Sequence, residues 1–321
     1  MTEKNSKTQI GLGMAALGRP EYINIDSSDR DKREVAFRAN AFKVLDAAYE
    51  KGVRYFDTAP SYGKGEAFLK DWNESRNHTD VVLGTKWGYT YVANWQLGYE
   101  GAHEVKEHSL AKLTEQWEVS QYLLPALEYY QIHSATFESG VLQNKPVLEK
   151  LLDIKRITGL KIGISTSGPN QNEVIENALQ IRINGEVVFD SFQVTFNMLE
   201  QATLSVLKEV KAQGKKLIIK EAMANGRVFP NVKYSHYQSL YTRLKTLAEK
   251  YQVGIDAIAL RYVMDVLQPD YVLSGAADIQ QLKENLNANR FTLNDEELAQ
   301  LTKEKVDSKA YWNERSQLIW D

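Results

Sequence analysis

The sequence contains no cysteine, and this absence removes a whole class of chemistry. A disulfide framework, a thiolate metal site and a thiol nucleophile are all excluded. A large excess of one sign of charge is also absent, since 39 Lys and Arg are balanced by 42 Asp and Glu, which gives a net charge of -3. The basic residues are not clustered in the sequence. We therefore expect no nucleic-acid partner.

Long hydrophobic runs are absent as well. No window approaches the roughly 18 consecutive apolar residues that a membrane-spanning helix requires. The amino terminus, residues 1–7, is polar and lacks the apolar segment of a signal peptide. We therefore predict a cytoplasmic protein that has no membrane partner.

What is present is a regular alternation of short apolar runs with longer amphipathic segments. Helical spacing is found near 34–51, 66–72, 141–157, 170–180, 202–213 and 238–264, and a broken helical pattern covers 104–124. The short runs are eight strand candidates, at 9–12, 53–56, 81–85, 128–132, 160–164, 189–194, 216–219 and 271–273. Such alternation predicts a parallel sheet, because parallel neighbours need a crossover connection.

Eight strand and helix units predict an α/β protein, a single (β/α)₈ TIM barrel spanning residues 1–321. Such a barrel takes about 250 residues. The surplus is explained by loop insertions near 19–32 and 87–103 and by a C-terminal tail after about 305. We find no linker that would separate a second domain.

The ends of the predicted strands carry polar side chains. Asp57 ends the second strand, and Tyr62 follows in a turn that Pro60 and Gly63 prevent from continuing as a strand. Lys86 ends the third strand and His133 the fourth. Because active sites of these barrels lie at the C-terminal ends of the strands, the four side chains are expected to meet at one rim.

Each of these residues also has an ordinary structural explanation. Tyr62 could pack in its turn, Asp57 could cap it, Lys86 could form a rim salt bridge, and His133 could be a core histidine. Their occurrence together, in order at three strand ends, favours a catalytic role. The remaining histidines, His78, His103, His108 and His236, are predicted to lie on the surface, and no metal site is expected because none has metal-ligand spacing.

Three motifs resemble the aldo-keto reductase family: Phe-Asp-Thr-Ala-x-x-Tyr-Gly-x-x-Glu at 56–66, Gly-Thr-Lys at 84–86 and Gln-Ile-His at 131–133. The resemblance extends from Gly11 to Asn285. It implies an Asp, Tyr, Lys and His tetrad that moves a hydride between NAD(P)H and an aldehyde or ketone.

The chemistry of carbonyl reduction agrees with this resemblance. The reaction places negative charge on the carbonyl oxygen, so a proton donor is needed there, and Tyr62 is the candidate general acid. Lys86 would favour its phenolate form, Asp57 would keep Lys86 charged, and His133 would donate to or orient the oxygen.

The resemblance also implies cofactor-binding residues. Ser165 and Gln193 would hydrogen-bond the nicotinamide carboxamide, although ordinary strand-end hydrogen bonding also explains them and Thr166 stands where the family usually has Asn. Glu221 falls close to the position where the family often places a stacking ring.

The segment from Ser274 opens a helix whose backbone amides could approach a pyrophosphate. Glu284 and Asn285 match the family pair that reaches the adenine. Gly275 and Gln281 stand where many members place Lys and Arg on a 2′-phosphate. NADP is expected from the family, with Lys283 or Arg227 as compensating cations, and NAD remains open.

A competing motif is Gly11-Leu-Gly-Met-Ala-Ala16, which fits a Rossmann fingerprint loosely. The strand before it is short, and the acidic residues that follow, Asp26 and Asp29, lie in a polar loop. We therefore assign these glycines to the loop after the first barrel strand.

Trp87 and Tyr89 are predicted to wall the substrate pocket, whereas Trp312 and Trp320 could either wall it or pin the tail to the barrel. Two functions stay open: a carbonyl-reducing enzyme, and a nucleotide-binding regulatory or sensor protein with little turnover on the same barrel. The sequence specifies neither the substrate nor the oligomeric state.

Overall fold

A computed structural model describes residues 8–21 and 31–319. Eight parallel strands form a closed barrel in which each strand pairs with the next and the last pairs with the first. They are β1 (Gln9–Gly13), β2 (Tyr55–Asp57), β3 (Val82–Trp87), β4 (Leu127–Ala135), β5 (Lys161–Thr166), β6 (Ser191–Thr195), β7 (Lys216–Lys220) and β8 (Tyr271–Ser274). The predicted (β/α)₈ barrel is therefore confirmed.

Helices surround the barrel. They are α1 (Glu34–Glu50), α2 (Gly65–Arg76), α3 (Leu110–Ser120), α4 (Lys145–Thr158), α5 (Gln171–Gln180), α6 (Leu204–Ala212), α7 (Gln238–Tyr251), α8 (Ile255–Leu267), α9 (Ile279–Leu286), α10 (Asp295–Thr302) and α11 (Ser308–Ser316). None of the helices within the described residues is both long enough and apolar enough to span a bilayer.

Two helical predictions need correction. The segment 238–264 was predicted as one helix but forms α7 and α8, because Gln252 adopts a left-handed φ of 54° and ends α7. The broken helix at 104–124 begins instead with a strand, Glu104–Lys106, which pairs antiparallel with Tyr89–Tyr91. This hairpin lies within and just after the predicted 87–103 insertion.

The helix α4 shows how local sequence forms these elements. The Asn144 side chain accepts a hydrogen bond from the Val147 amide at its start, and Gly159, with φ of 77°, ends it. Between these caps, five apolar side chains are buried at helical spacing: Val147, Leu148, Leu151, Leu152 and Ile154. The buried stripe fixes the helix against the barrel.

The barrel interior is filled by an aromatic cluster that determines which side chains face the mouth. The rings of Tyr55 and Tyr271 stack with centroids 4.2 Å apart, and Tyr129 meets Tyr55 edge-on at 5.6 Å. Ile218 completes the cluster. Because side chains alternate along a strand, residues two and four positions after these on the same strands point into the barrel mouth.

Candidate active site

A buried ion pair lies at the ends of β2 and β3. Lys86 Nζ is 2.5 Å from Asp57 Oδ2 and 2.8 Å from the Thr58 carbonyl oxygen, and both charged side chains are about 1% exposed. The other carboxylate oxygen, Asp57 Oδ1, accepts from Gln193 Nε2 at 2.7 Å and from the Tyr55 hydroxyl at 3.2 Å. Burial lowers the pKa of Lys86, and the Asp57 carboxylate opposes that effect.

Tyr62 is half-buried between this ion pair and the end of β4. Its ring centroid lies 4.9 Å from Lys86 Nζ, and the His133 ring meets it edge-on at 5.8 Å. The Tyr62 loop is held by the β1 loop, since the Gly18 carbonyl accepts from the Lys64 amide at 2.7 Å. The structure thus brings the four predicted tetrad residues to one rim.

His133 is surrounded by polar and aromatic groups. Its Nδ1 lies 3.5 Å from Ser61 Oγ, and the Tyr89 ring packs on it at 4.8 Å. Burial lowers the pKa of His133 well below its usual range, and the positive charges of Lys86 and Lys220 lower it further. The imidazole is therefore neutral at neutral pH.

His103 and His108 are buried, so the prediction that they lie on the surface was wrong. His108 Nε2 lies 2.9 Å from the His133 carbonyl oxygen, and a Cβ on Gly88 would overlap the His108 ring. Burial, followed by the charge of Lys106, lowers the pKa of His108 to about 4. No local pattern signals this position, because the hairpin brings it over the end of β3.

The two predicted pocket residues occupy different depths. Trp87 is fully buried and meets His108 edge-on at 5.4 Å, beneath the rim. Tyr89 is half-buried at the rim itself, against His133. Of the two, only Tyr89 is open to a molecule entering the mouth in this structure.

The predicted carboxamide-binding residues lie on β5 and β6. Ser165 is buried, and its hydroxyl accepts from the Ser134 amide at 2.8 Å, while Gln193 donates to Asp57. Sequence reasoning missed Gln131, two residues before His133 on the same face of β4. Both amide atoms of this fully buried side chain lack a hydrogen-bond partner in the described structure.

The predicted phosphate-binding segment lies where β8 leads into α9. The Ser274 hydroxyl donates to Asn285 Oδ1 at 2.9 Å, and Asn285 Nδ2 donates to Asp256 at 2.8 Å. The Gln281 side chain accepts from the Ala277 amide at 2.9 Å. These contacts fold the loop tightly around its own polar groups.

The other predicted cofactor-binding residues of this segment make fewer contacts within the protein. Gly275 is exposed, and a Cβ added there would meet nothing within 4 Å. Glu284 is half-exposed one turn further along α9, where it accepts from Gln280 at 2.7 Å. Lys283 is exposed on the same helix.

The C-terminal tail folds against the end of β7 through α11. Arg227 is fully buried and donates to the carbonyl oxygens of Ala224 at 3.0 Å and Tyr311 at 3.1 Å, and to Glu314 at 3.2 Å. Its guanidinium also lies 4.0 Å from the centroid of the Tyr311 ring. Arg227 therefore binds the C-terminal tail and is not available to a cofactor phosphate. Trp312 is buried and meets the Tyr311 ring edge-on at 5.4 Å, and Trp320 lies outside the described residues.

Glu221, near the expected ring-stacking position, is also engaged by the tail. Its backbone has a left-handed φ of 56°, and its Oε1 accepts from Arg315 Nη2 at 2.9 Å. Burial alone would raise the pKa of Glu221, but the charges of Arg315 and Lys220 bring it down to about 2. A charged network thus occupies this side of the mouth.

A hollow lies at the end of the barrel opposite the tetrad and is lined by several lysines. Three of them are paired with carboxylates at 2.6 to 2.8 Å, namely Lys155 with Asp190, Lys161 with Glu128 and Lys216 with Asp270. Their charge is therefore neutralised. Within residues 8–21 and 31–319, no group of three His, Asp or Glu side chains could hold a metal ion.

Comparison with known proteins agrees with this geometry. The model of the aldo/keto reductase family matches residues 9–305. The uncharacterized oxidoreductase YqkF of Bacillus subtilis (strain 168) is 25% identical over 306 residues, which cover 92% of this chain and 91% of that protein. Norsolorinic acid reductase of Aspergillus flavus is 25% identical over 284 residues, covering 82% and 71%.

The barrel is shared with solved structures. The aldo-keto reductase AKR11C1 from Bacillus halodurans, in its holo form, superposes with a TM-score of 0.68 at 22% identity. The superposition covers 93% of this chain and 92% of that one. It shows a common fold.

Proposed function

Because the chain belongs to the aldo/keto reductase family and is an NAD(P)-dependent oxidoreductase of carbonyl compounds, we propose that Tyr62 is its general acid and base. In this proposal the protein reduces an aldehyde or ketone to an alcohol, or catalyses the reverse reaction. One observation carries the assignment. The Lys86 ammonium, held 2.5 Å from Asp57, lies 4.9 Å from the Tyr62 ring centroid at the open end of the barrel.

The proton is delivered by Tyr62. NAD(P)H, when bound, supplies the hydride, and negative charge then develops on the carbonyl oxygen. A free phenol has a pKa of about 10 and is a weak acid at neutral pH, but a neighbouring cation favours the phenolate that remains after proton transfer. Lys86 is that cation. Asp57 keeps it charged in a site where burial favours the neutral amine.

His133 contributes a hydrogen bond rather than a proton. Because its pKa lies well below the usual range, the imidazole holds no spare proton at neutral pH. A neutral imidazole still carries one N–H group, which can donate to the developing oxyanion. The edge-on packing of its ring against Tyr62, with centroids 5.8 Å apart, supports a role for both side chains as donors to one oxygen.

The donor set around the mouth fits a nicotinamide dinucleotide. Gly275 leaves open space at the end of β8, where Ser274 and the backbone of the loop can approach a pyrophosphate. Gln193 uses its side-chain nitrogen on Asp57, so its oxygen remains to accept from the carboxamide, next to Ser165. Glu284 would reach the adenine, and Asn285 holds the loop through its two internal bonds.

NADP is proposed as the preferred cofactor, with Lys283 as the cation for the 2′-phosphate. Gln281 is neutral and already accepts from Ala277, and Arg227 is buried under α11. Lys283 alone among these candidates is charged and exposed. A single lysine provides a point charge without a bidentate fork, so we expect the preference over NAD to be modest.

The decisive experiment measures cofactor oxidation with a panel of aldehydes and ketones, for the natural protein and for Tyr62→Phe. Loss of the general acid should lower kcat by about 10²- to 10⁴-fold, while the NADPH dissociation constant from fluorescence titration stays the same. Equal activity in the variant would contradict the assignment of Tyr62. Tight nucleotide binding without turnover of any compound would instead favour a regulatory or sensor protein.

A further inference from the structure

Lys220 is a charged residue that the tetrad chemistry does not use. It ends β7 two residues after Ile218, which belongs to the aromatic cluster inside the barrel. By strand alternation Lys220 therefore points into the mouth, where its side chain is 17% exposed. His133 lies four residues after Tyr129 of the same cluster on β4, so both side chains point into the mouth.

The charge of Lys220 is poorly matched by its neighbours. Its Nζ donates to the neutral Thr195 hydroxyl at 2.6 Å. Within the described residues, its nearest carboxylate oxygen is Glu221 Oε1, at 3.8 Å, and this oxygen also accepts from Arg315 at 2.9 Å. The other oxygen, Glu221 Oε2, accepts from the Thr195 hydroxyl at 3.4 Å. The other lysine of the mouth, Lys86, has its own carboxylate at 2.5 Å.

The space in front of Lys220 is the space that a substrate must enter. Tyr89 and His133 form the opposite side of the opening, with ring centroids 4.8 Å apart. Arg315 of α11 donates to Glu221, the residue that follows Lys220, at 2.9 Å, so α11 lies on the Lys220 side of the opening. When the carbonyl group of a substrate contacts Tyr62, the rest of the substrate would lie between Lys220 on one side and Tyr89 and His133 on the other.

We propose that Lys220 binds a carboxylate on the substrate, so that the preferred substrates are aldehydes or ketones that carry a carboxylate group. A single ammonium is a point charge, which suits one carboxylate better than a phosphate dianion that calls for a fork of donors. Glu221 is shared between Arg315 and Lys220, so these three side chains together carry one net positive charge that a substrate carboxylate can meet. This inference rests on the proposed carbonyl reductase function.

The test compares two aldehydes of similar size, 4-carboxybenzaldehyde and 4-methylbenzaldehyde, with NADPH as the reductant. The natural protein should prefer the carboxylate in kcat/KM by about 10- to 100-fold, and Lys220→Met should abolish the preference, mainly through KM. The matched control is Lys216→Met, at the other end of β7, where the lysine pairs with Asp270. This control should keep the preference.

A binding measurement separates failure of this inference from failure of the proposed function. Calorimetric titration of the protein–NADP⁺ complex with 4-(hydroxymethyl)benzoate and 4-methylbenzyl alcohol reports selectivity without turnover. A preference of the same size that Lys220→Met removes supports the site even if neither aldehyde is reduced. An unchanged preference in Lys220→Met overturns it, and so does a weaker NADPH affinity without a change in preference, because Lys220 would then serve the nucleotide.

Discussion

Replacing Asp57 with Asn tests the buried ion pair that supports Tyr62. The substitution keeps the size of the side chain and removes the charge that lies 2.5 Å from Lys86 Nζ. Removing one partner of a buried pair costs about 3–5 kcal/mol, because the remaining charge is left uncompensated. Both side chains are about 1% exposed, so water cannot replace the lost carboxylate.

The hydrogen bonds add to this cost. Asp57 Oδ1 accepts from Gln193 and Tyr55, and Oδ2 accepts from Lys86. An amide has one oxygen and one NH₂ group, so either orientation of Asn at position 57 places two donors face to face. The loss of folding stability should therefore lie in the upper part of the range of about 3–5 kcal/mol.

The expected change in melting temperature follows from the chain length. Unfolding entropy of about 2.1 cal/mol/K per residue gives about 0.7 kcal/mol/K for this chain. A loss of about 3–5 kcal/mol thus lowers Tm by about 4–7 °C at pH 7, measured by scanning calorimetry. The double variant Asp57→Asn/Lys86→Met should recover part of this loss because it leaves no orphaned charge.

The control is Asp71→Asn, which breaks a pair with Arg38 on the outer surface. Those side chains are 44% and 46% exposed, so the loss should be below about 1 kcal/mol, which corresponds to about 1.5 °C. If Asp57→Asn melted as close to the natural protein as this control does, Lys86 would not be a buried charge held by Asp57. The proposed activation of Tyr62 would then lose its basis.

Three further changes test other parts of the site. In Gly18→Ala, the new Cβ would lie 2.7 Å from Gly65 Cα and closer still to the Tyr62 carbonyl oxygen, so both Tm and kcat should fall. The control is Gly13→Ala, in which the atom nearest to the new Cβ is 3.6 Å away, so its Tm should stay unchanged. Equal melting temperatures of the two variants would contradict this packing. The pKa of His108 is about 4 in the folded protein and 6.5 in the unfolded chain, so the unfolded chain takes up the proton first as the pH falls. The free energy of unfolding should therefore decrease between pH 6.5 and pH 4, by up to about 3 kcal/mol. Urea unfolding at several pH values should show a shallower decline in His108→Gln, and an identical decline would refute the assignment. Lys283→Met should equalise the NADPH and NADH dissociation constants in fluorescence titration, and a preserved preference would exclude Lys283 as the 2′-phosphate ligand.

The sequence by itself determined the barrel and the meeting of the tetrad residues. Short apolar runs and helical patterns mark eight strands and the helices between them, and parallel strands in a barrel must end at one rim. Asp57, Lys86 and His133 end or nearly end their strands, so their proximity follows from the topology. No side-chain contact had to be known for this inference.

Only the tertiary structure decided what surrounds the tetrad. The burial of His108 depends on the hairpin that folds over β3, and the loss of Arg227 as a phosphate ligand depends on α11 packing 84 residues later in the chain. Glu221 meets Arg315 across 94 residues, and Lys220, 3.8 Å away, shares the same carboxylate with Arg315. Periodicity reports which face of an element is apolar, whereas the partner of a charged side chain depends on how distant segments pack, which no local pattern encodes.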